Sequence, residues 1–228
     1  LSERPNLDLA VMALDGDGSF LDAANVILSR DQPRGLISKL DADLSSTNIT
    51  WQRWNQKRWD GARPWISTPE ELPAREQLGH SPSGTSEAVF MSPYPASLFK
   101  LPLAFFLLEE TSAGRIAFPD IRTKLRQMLT VSSNQATRDL LKTLHDNERI
   151  GAMNRRFKRL GLDTIQIEGT DPDTGGNWNV GEITMTSMDT AKLLRLIQSD
   201  SAAAPLWMQP NGKQPRSKLN SKEQRTLL

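Results

Sequence analysis

The residue pattern with the clearest chemical meaning is a serine followed three positions later by a lysine, in Ser97-Leu98-Phe99-Lys100. Three residues make nearly one helical turn, so in a helix the Lys100 amine lies on the same face as the Ser97 hydroxyl. A serine hydroxyl needs a nearby base to act as a nucleophile, and a lysine kept neutral by an apolar site can serve as that base. The pattern also fits a helix-capping serine beside a surface lysine.

A second pattern, Ser132-Ser133-Asn134, stands between two stretches of helical periodicity. Ser132 could relay a proton between Lys100 and a leaving group, and Asn134 could hold Lys100 and a substrate amide. An N-cap pair would give the same pattern. The order of the two patterns and their helical surroundings favour the catalytic interpretation more strongly than either pattern does alone.

Helices must hold both patterns in place. Apolar spacing, glycine stops and a proline start predict them over residues 96–110, 120–129, 134–144, 149–160 and 187–198. Ser221 opens a capping box close to the end of the chain, which predicts a helix that continues beyond Leu228. We therefore expect the chain to be truncated at its C-terminus.

Strands are predicted near the other end of the chain. An apolar run at Leu7–Leu14 and the turn Asp15-Gly16-Asp17-Gly18 predict a hairpin whose second strand is Phe20–Leu28. Residues 165–181 are predicted to form a loop.

Residues 32–92 are polar and rich in proline, glycine and serine, which predicts an insertion or lid-bearing segment with one helical patch at 49–59. Tryptophans and cations alternate in this patch, and Trp65 follows it. Such side chains can stack on bases or sugars. An amphipathic helix that docks the insertion through Trp51 and Trp54 is the simpler interpretation.

The composition excludes several other functions. The 28 Lys and Arg residues balance 27 Asp and Glu residues, so the charge gives no reason to expect nucleic acid or an anionic membrane as a partner. No apolar run approaches the roughly 20 residues of a spanning helix, which predicts a soluble protein. The absence of cysteine excludes a disulfide framework, a thiolate zinc site and a cysteine nucleophile. His80 and His145 belong to no recognisable catalytic motif.

The two serine patterns and their flanking residues resemble the serine β-lactamase and penicillin-binding protein superfamily, most closely its class A-like branch. The resemblance covers roughly residues 90–200 and the opening strand. It rests on the stretches Pro95-Ala96-Ser97-Leu98-Phe99-Lys100-Leu101-Pro102, Met128-Leu129-Thr130-Val131-Ser132-Ser133-Asn134-Gln135-Ala136-Thr137, Arg159-Leu160-Gly161-Leu162 and Met185-Thr186-Ser187-Met188-Asp189-Thr190-Ala191. Carried over by motif, Ser97 is the acylated nucleophile and Lys100 is its base partner. Ser132 is the proton shuttle, and Asn134 binds the substrate and the lysine.

The resemblance implies an α/β (α+β) fold of the β-lactamase/transpeptidase type. Residues 1–228 would form a single domain, with the helical region at 96–199 beside an antiparallel sheet that looks incomplete in this chain. The implied reaction is acyl transfer to Ser97 from a β-lactam or a D-alanyl peptide of peptidoglycan type, followed by hydrolysis. The resemblance implies no metal, organic cofactor, nucleic acid or membrane span. It implies a periplasmic or extracellular location. It leaves the oligomeric state open.

The chain departs from the family pattern in three places. The stretch from Ser97 to Ser132 is short for a class A enzyme and the segment before Ser97 is long, so we expect a reshaped substrate cleft. The family's Lys-Thr-Gly strand motif is absent, because Gly212-Lys213-Gln214 is no substitute for it. We expect the Lys-Thr-Gly motif to follow Leu228. The glutamate that activates the deacylating water in class A enzymes has two candidates, Glu168 and Asp171, although both could be solvated loop acids.

The alternative function is a non-catalytic or altered-substrate module that binds a partner or glycan through the tryptophan-rich insertion.

Overall fold

The computed structural model describes residues 6–16, 18–79, 86–178 and 181–198, together with 207, 213, 215–217, 219 and 227. Within these residues the fold is mixed α/β, with six α-helices and small antiparallel and parallel sheets. Most of the helical structure follows residue 100, and the longer strands precede it.

The predicted hairpin is confirmed, with β1 (Leu7–Leu14) pairing antiparallel with β2 (Phe20–Leu28). A short strand β3 (Leu36–Ile37) pairs with β2 on its other side, which gives the order β1-β2-β3. Because side chains alternate between the two faces of a strand, Asp8 points inward while its neighbours point outward and are about half exposed.

The predicted helical patch at 49–59 is wrong in its first half. Strand β4 (Ile49–Gln52) occupies that half, and helix α1 (Gln56–Trp59) is limited to the last residues. β4 pairs in parallel with β5 (Ala88–Met91), and every residue of both strands is buried. A strand buried on both faces does not alternate apolar and polar residues, so its sequence does not distinguish it from a buried helix.

The five predicted helices are confirmed, with small changes at their ends. The first begins as a 3-10 turn over Ala96–Phe99 before it becomes regular. The regular helices are α2 (Lys100–Ser112), α3 (Phe118–Thr130), α4 (Asn134–Asp146), α5 (Ile150–Arg159) and α6 (Ser187–Gln198). α2 is buried on nearly all sides, as expected for a helix whose residues are apolar all round, and the other helices pack around it.

The stretch 165–181 that was predicted as a loop contains a short strand, β6 (Gln166–Ile167), which pairs antiparallel with β7 (Ile183–Thr184). The helix start predicted at Ser221 lies outside the described residues. None of the helices in the described part of the chain is long and apolar enough to cross a membrane.

A buried polar contact fastens α6 to the sheet. The Asp8 carboxylate accepts hydrogen bonds from the Ser187 backbone N–H at 2.7 Å and from Asn25 Nδ2 at 2.8 Å. Burial raises the pKa of Asp8, and these hydrogen bonds partly oppose that effect. The carboxylate caps the start of α6, so the sheet and the helices are held in a fixed relation.

Candidate active site

Ser97 lies in the 3-10 turn Ala96–Phe99 that opens the helical region. Ala96 precedes it with a φ of 47°, in the left-handed region that residues other than glycine rarely adopt. The turn leads directly into α2, whose first residue is Lys100. The Lys100 amine then lies 3.2 Å from the Ser97 hydroxyl, in agreement with the helical spacing of the motif.

Ser132 reaches the same point from the turn between α3 and α4. Its φ of 54° is left-handed and helps to reverse the chain between the two helices. Ser133 is the N-cap of α4, where its hydroxyl accepts a hydrogen bond from the Ala136 N–H at 3.2 Å. The capping role that the sequence left open therefore belongs to Ser133, while Ser132 Oγ lies 3.1 Å from Ser97 Oγ.

The Lys100 amine connects these residues. Nζ donates hydrogen bonds to the Ser132 carbonyl at 2.6 Å, to the Ser132 hydroxyl at 2.8 Å and to Asn134 Oδ1 at 2.9 Å. The Ser132 carbonyl oxygen and the Asn134 amide oxygen can only accept hydrogen bonds. The two N–H groups of a neutral amine would satisfy both of them, and its lone pair would remain for a hydroxyl proton. The set of contacts therefore suits a lysine that works as a base.

Lys100 is buried beneath its hydrogen-bond partners. It is 4 % exposed, whereas Ser97, Ser132 and Asn134 are all exposed. Burial lowers the pKa of Lys100, and no acidic side chain of the described residues pairs with its amine to oppose that shift. The two hydroxyls thus face solvent, where a substrate can reach them, above an amine that is more easily deprotonated than an ordinary lysine.

Two aromatic residues that sequence reasoning missed also belong to this site. The Trp178 ring centroid lies 5.7 Å from Lys100 Nζ. The Tyr94 hydroxyl donates a hydrogen bond to the Trp178 carbonyl at 3.1 Å, and burial raises the Tyr94 pKa so that this proton is retained. The only sequence signals were a tyrosine between two prolines just before Ser97 and a tryptophan in a glycine-rich loop.

Asp171, a candidate for the deacylating base, organises a turn in the structure. Its carboxylate accepts hydrogen bonds from the backbone N–H groups of Asp173 at 2.8 Å and Thr174 at 2.9 Å. These bonds hold the pKa of Asp171 below its usual range. Asp171 forms no hydrogen bond with any of the four residues gathered around the Lys100 amine, and its carboxylate is already committed to the loop backbone.

Glu168, the other candidate, lies just after β6 and pairs with Arg53. Its carboxylate is 3.0 Å from Arg53 Nη2, and its side chain is 57 % exposed. It makes no hydrogen bond with Ser97 or Lys100. The structure therefore brings together Ser97, Lys100, Ser132 and Asn134, and it joins neither of the two predicted acids to them.

The tryptophans of residues 51–65 form a stack that is largely closed on itself. The Arg30 guanidinium lies 4.5 Å from the Trp59 ring centroid and 4.4 Å from that of Trp65. Trp54 packs against Trp59 with ring centroids 4.9 Å apart. Trp51 is buried edge-on against Phe90, but it lies on strand β4 and not on the docking helix that the sequence predicts. Trp59 therefore has an arginine and a second tryptophan against its ring.

No protein-family model, curated protein or solved structure matches this chain. The chemical meaning of the site therefore rests on its own geometry. The described residues contain no group of histidine, cysteine, aspartate or glutamate side chains that could hold a metal ion. The His145 ring bonds the Thr170 hydroxyl at 2.9 Å near the far end of α4 from Asn134, and His80 lies outside the described residues.

Proposed function

We propose that the chain is a serine acyl-transfer hydrolase with the β-lactamase/transpeptidase-like fold, in which Ser97 is acylated by a β-lactam or a D-alanyl peptide. The observation that carries the proposal is the triangle formed by the Lys100 amine and the hydroxyls of Ser97 and Ser132. Its sides are 3.2, 2.8 and 3.1 Å. Each of these atoms can pass a proton to the next without a change of fold.

In the proposed acylation, Lys100 Nζ removes the proton from Ser97 Oγ while Oγ bonds to the carbonyl carbon of the substrate amide. The protonated amine then passes a proton through the Ser132 hydroxyl to the leaving nitrogen as the C–N bond breaks. The products are an ester on Ser97 and a neutral amine group. The Leu98 N–H already donates to the Pro95 carbonyl, so the Ser97 N–H at the start of the 3-10 turn supplies the oxyanion donor in this proposal.

The surroundings of the site favour a long-lived acyl-enzyme. Hydrolysis of the ester requires a base for the attacking water, and both candidate carboxylates are engaged elsewhere, Glu168 by Arg53 and Asp171 by its own loop. The groups that remain for this step are Lys100 and Ser132. We therefore propose penicillin-binding behaviour, with slow hydrolysis, and a location outside the cytoplasm.

The competing function, a module that binds a partner or glycan through the tryptophan-rich insertion, has less support. Sugar binding by tryptophan uses an open ring face. Arg30 and Trp54 instead both pack against the Trp59 ring, and the Arg30 guanidinium also lies over the Trp65 ring. These contacts explain the cluster as part of the packing of the insertion.

The test is intact-mass spectrometry of the protein after incubation with benzylpenicillin. We expect an adduct on the unmodified protein and none on the Ser97→Ala variant. Ser45→Ala is the matched control, because Ser45 is exposed and its hydroxyl donates within its own loop, to Asp43.

Each outcome has a distinct meaning. A persistent adduct that requires Ser97 supports penicillin-binding behaviour. Turnover without an adduct, also dependent on Ser97, supports a β-lactamase with a working deacylating base. An adduct that persists in Ser97→Ala overturns the assignment of the nucleophile. The absence of both adduct and turnover, with penicillin and with a D-alanyl peptide, overturns the proposed function.

A further inference from the structure

Polar side chains lie over Lys100, but they are not the only groups close to its amine. Ser97, Ser132 and Asn134 are all exposed, yet the lysine beneath them is 4 % exposed. Polar groups can hydrogen-bond an amine and replace its hydration, whereas an apolar group beside it excludes water without such replacement.

The indole of Trp178 is an apolar group that meets the amine directly, with its ring centroid 5.7 Å from Nζ. Trp178 also packs against the main hydrophobic core, so its ring is supported from behind. We propose that Trp178 is a positioning residue for acylation: it covers the Lys100 amine and keeps it dry, so that the lysine can take the Ser97 proton at neutral pH. This inference rests on the proposed acylation of Ser97.

Two anchors hold Trp178 in place. The Tyr94 hydroxyl bonds its carbonyl at 3.1 Å, and Tyr94 lies only three residues before the nucleophile. The loop that carries Trp178 is pressed onto α4 at Gly175, where an added Cβ would lie 1.9 Å from the Arg138 carbonyl oxygen. The indole is therefore fixed both to the nucleophile's segment and to the helix that begins at Asn134.

Two effects of the ring on the amine oppose each other. A ring face attracts a cation, which favours the protonated lysine, but this attraction is weak near its limit of about 6 Å. Exclusion of water favours the neutral amine and can shift a buried lysine by several pKa units. Exclusion of water therefore dominates, and loss of the ring is expected to raise the pKa of Lys100.

The other groups around the amine do not reverse the expected direction of the Lys100 pKa change. The described side chains that hydrogen-bond Nζ or place a ring near it come from the 3-10 turn, the α3–α4 turn, α4 and the Trp178 loop, and they are Ser97, Ser132, Asn134 and Trp178. None of them carries a charge. The titratable groups that hold Trp178 are Tyr94, which keeps its proton, and Asp171, which bonds backbone N–H groups of its own loop.

The experiment compares Trp178→Ala and Trp178→Phe with the unmodified protein. The rate of adduct formation with benzylpenicillin is measured by intact mass across the pH range. With alanine, we expect the rising limb of the profile to move up by about one pH unit and the rate at neutral pH to fall about tenfold. Phenylalanine also presents a ring face, so its profile should stay within about twofold of the unmodified protein.

Two further variants separate this effect from a general loss of packing. Trp65→Ala removes another partly buried tryptophan, outside the site, and should leave the profile unchanged. Tyr94→Phe removes only the hydroxyl that anchors Trp178 and should move the profile in the same direction as Trp178→Ala, by less. If Trp178→Ala does not fold, the direction of the Tyr94→Phe shift decides whether Trp178 has the proposed role.

A readout without substrate distinguishes failure of this inference from failure of the proposed function. The Lys100 Cε resonance, assigned by its loss in Lys100→Met, is titrated by NMR in the unmodified protein and in Trp178→Ala. A midpoint that rises in the variant supports the inference even where penicillin forms no adduct. An unchanged midpoint, or an unchanged rate profile in a protein that is acylated, overturns the role of Trp178 and leaves the acylation of Ser97 standing.

Discussion

The Lys100 amine contacts Ser132 at two atoms, its carbonyl oxygen at 2.6 Å and its hydroxyl at 2.8 Å. The carbonyl contact fixes the turn between α3 and α4, and the hydroxyl contact lies on the proposed proton path. Both depend on the left-handed backbone of Ser132, with φ of 54°. One residue thus combines a strained conformation with a proposed chemical role, a combination that is common at functional sites.

Glycine and alanine at position 132 separate these two contributions. Both substitutions remove the hydroxyl, so both should slow acylation by about a hundredfold or more. Ser132→Gly should be more stable than Ser132→Ala by about 1 kcal/mol, because glycine adopts positive φ without a Cβ clash. Urea unfolding measures the difference, and equal stability of the two variants would show that the turn carries no strain.

Lys100 should make the free energy of unfolding depend on pH. Its pKa is lowered in the folded protein and is about 10.4 in the unfolded chain, so the unfolded chain binds more protons between these two values. Stability should therefore rise with pH across that window. The Lys100→Met variant should lose this rise, as measured by urea unfolding at a series of pH values. Lys124→Met, at a half-exposed lysine outside the site, is the control that should keep it.

Asn134→Asp should impair acylation by placing a negative charge beside the amine. Asn134 Oδ1 is 2.9 Å from Nζ, and an opposite charge at that distance raises the pKa of a lysine. The rate at neutral pH should fall tenfold or more, with the rising limb of the pH profile displaced upward by about one unit or more. Gln135→Glu adds the same charge at the next residue, which is exposed and bonds Asp139, and should have little effect.

Gly175→Ala should lift the Trp178 loop from α4. The added Cβ would lie 1.9 Å from the Arg138 carbonyl oxygen and 2.7 Å from the Lys142 backbone nitrogen, and the φ of +64° is itself unfavourable for alanine. We expect a loss of stability of about 2–3 kcal/mol and slower acylation. Gly114→Ala has a similar φ of +68° and open space around it, so it measures the backbone cost alone. Equal losses in the two variants would contradict the close packing.

Removal of one partner of the buried pair Arg58 and Glu76 should lower the free energy of unfolding strongly, whereas replacement of both by apolar residues should lower it little. Arg58 Nε lies 2.9 Å from the Glu76 carboxylate, and this contact lowers the Glu76 pKa. Arg58→Met alone should cost about 3–5 kcal/mol, because it leaves a buried charge unpaired, whereas the double variant with Glu76→Leu should recover most of that loss. The stabilisation from the pair should be present above about pH 4.3 and be lost as the pH falls through the lower, folded-state pKa of Glu76. Unfolding experiments on the two variants at neutral and acidic pH test both statements, and a double variant no more stable than Arg58→Met would contradict them.

Interactions between residues close in sequence were enough to predict the helices and the contact between Ser97 and Lys100. The apolar spacing in α3, where Ile121, Leu125 and Met128 are buried, could be read directly because one face of the helix meets the core. The contact between Ser97 and Lys100 is a property of a single helical turn and needs nothing from the rest of the chain. The hairpin of β1 and β2 was likewise specified by its turn residues.

Tertiary structure decided the features that depend on residues distant in sequence. The sequence predicts a helix at β4, because a run buried on both faces has no alternating pattern, and only the pairing of this run with β5 defines it as a strand. The approach of Ser132 to Ser97, the cover that Trp178 provides and the pairing of Glu168 with Arg53 join parts of the chain that are 35, 78 and 115 residues apart. Sequence specifies the local conformation of each segment, but the packing of the core decides which segments meet, and that packing set the environment of the Lys100 amine.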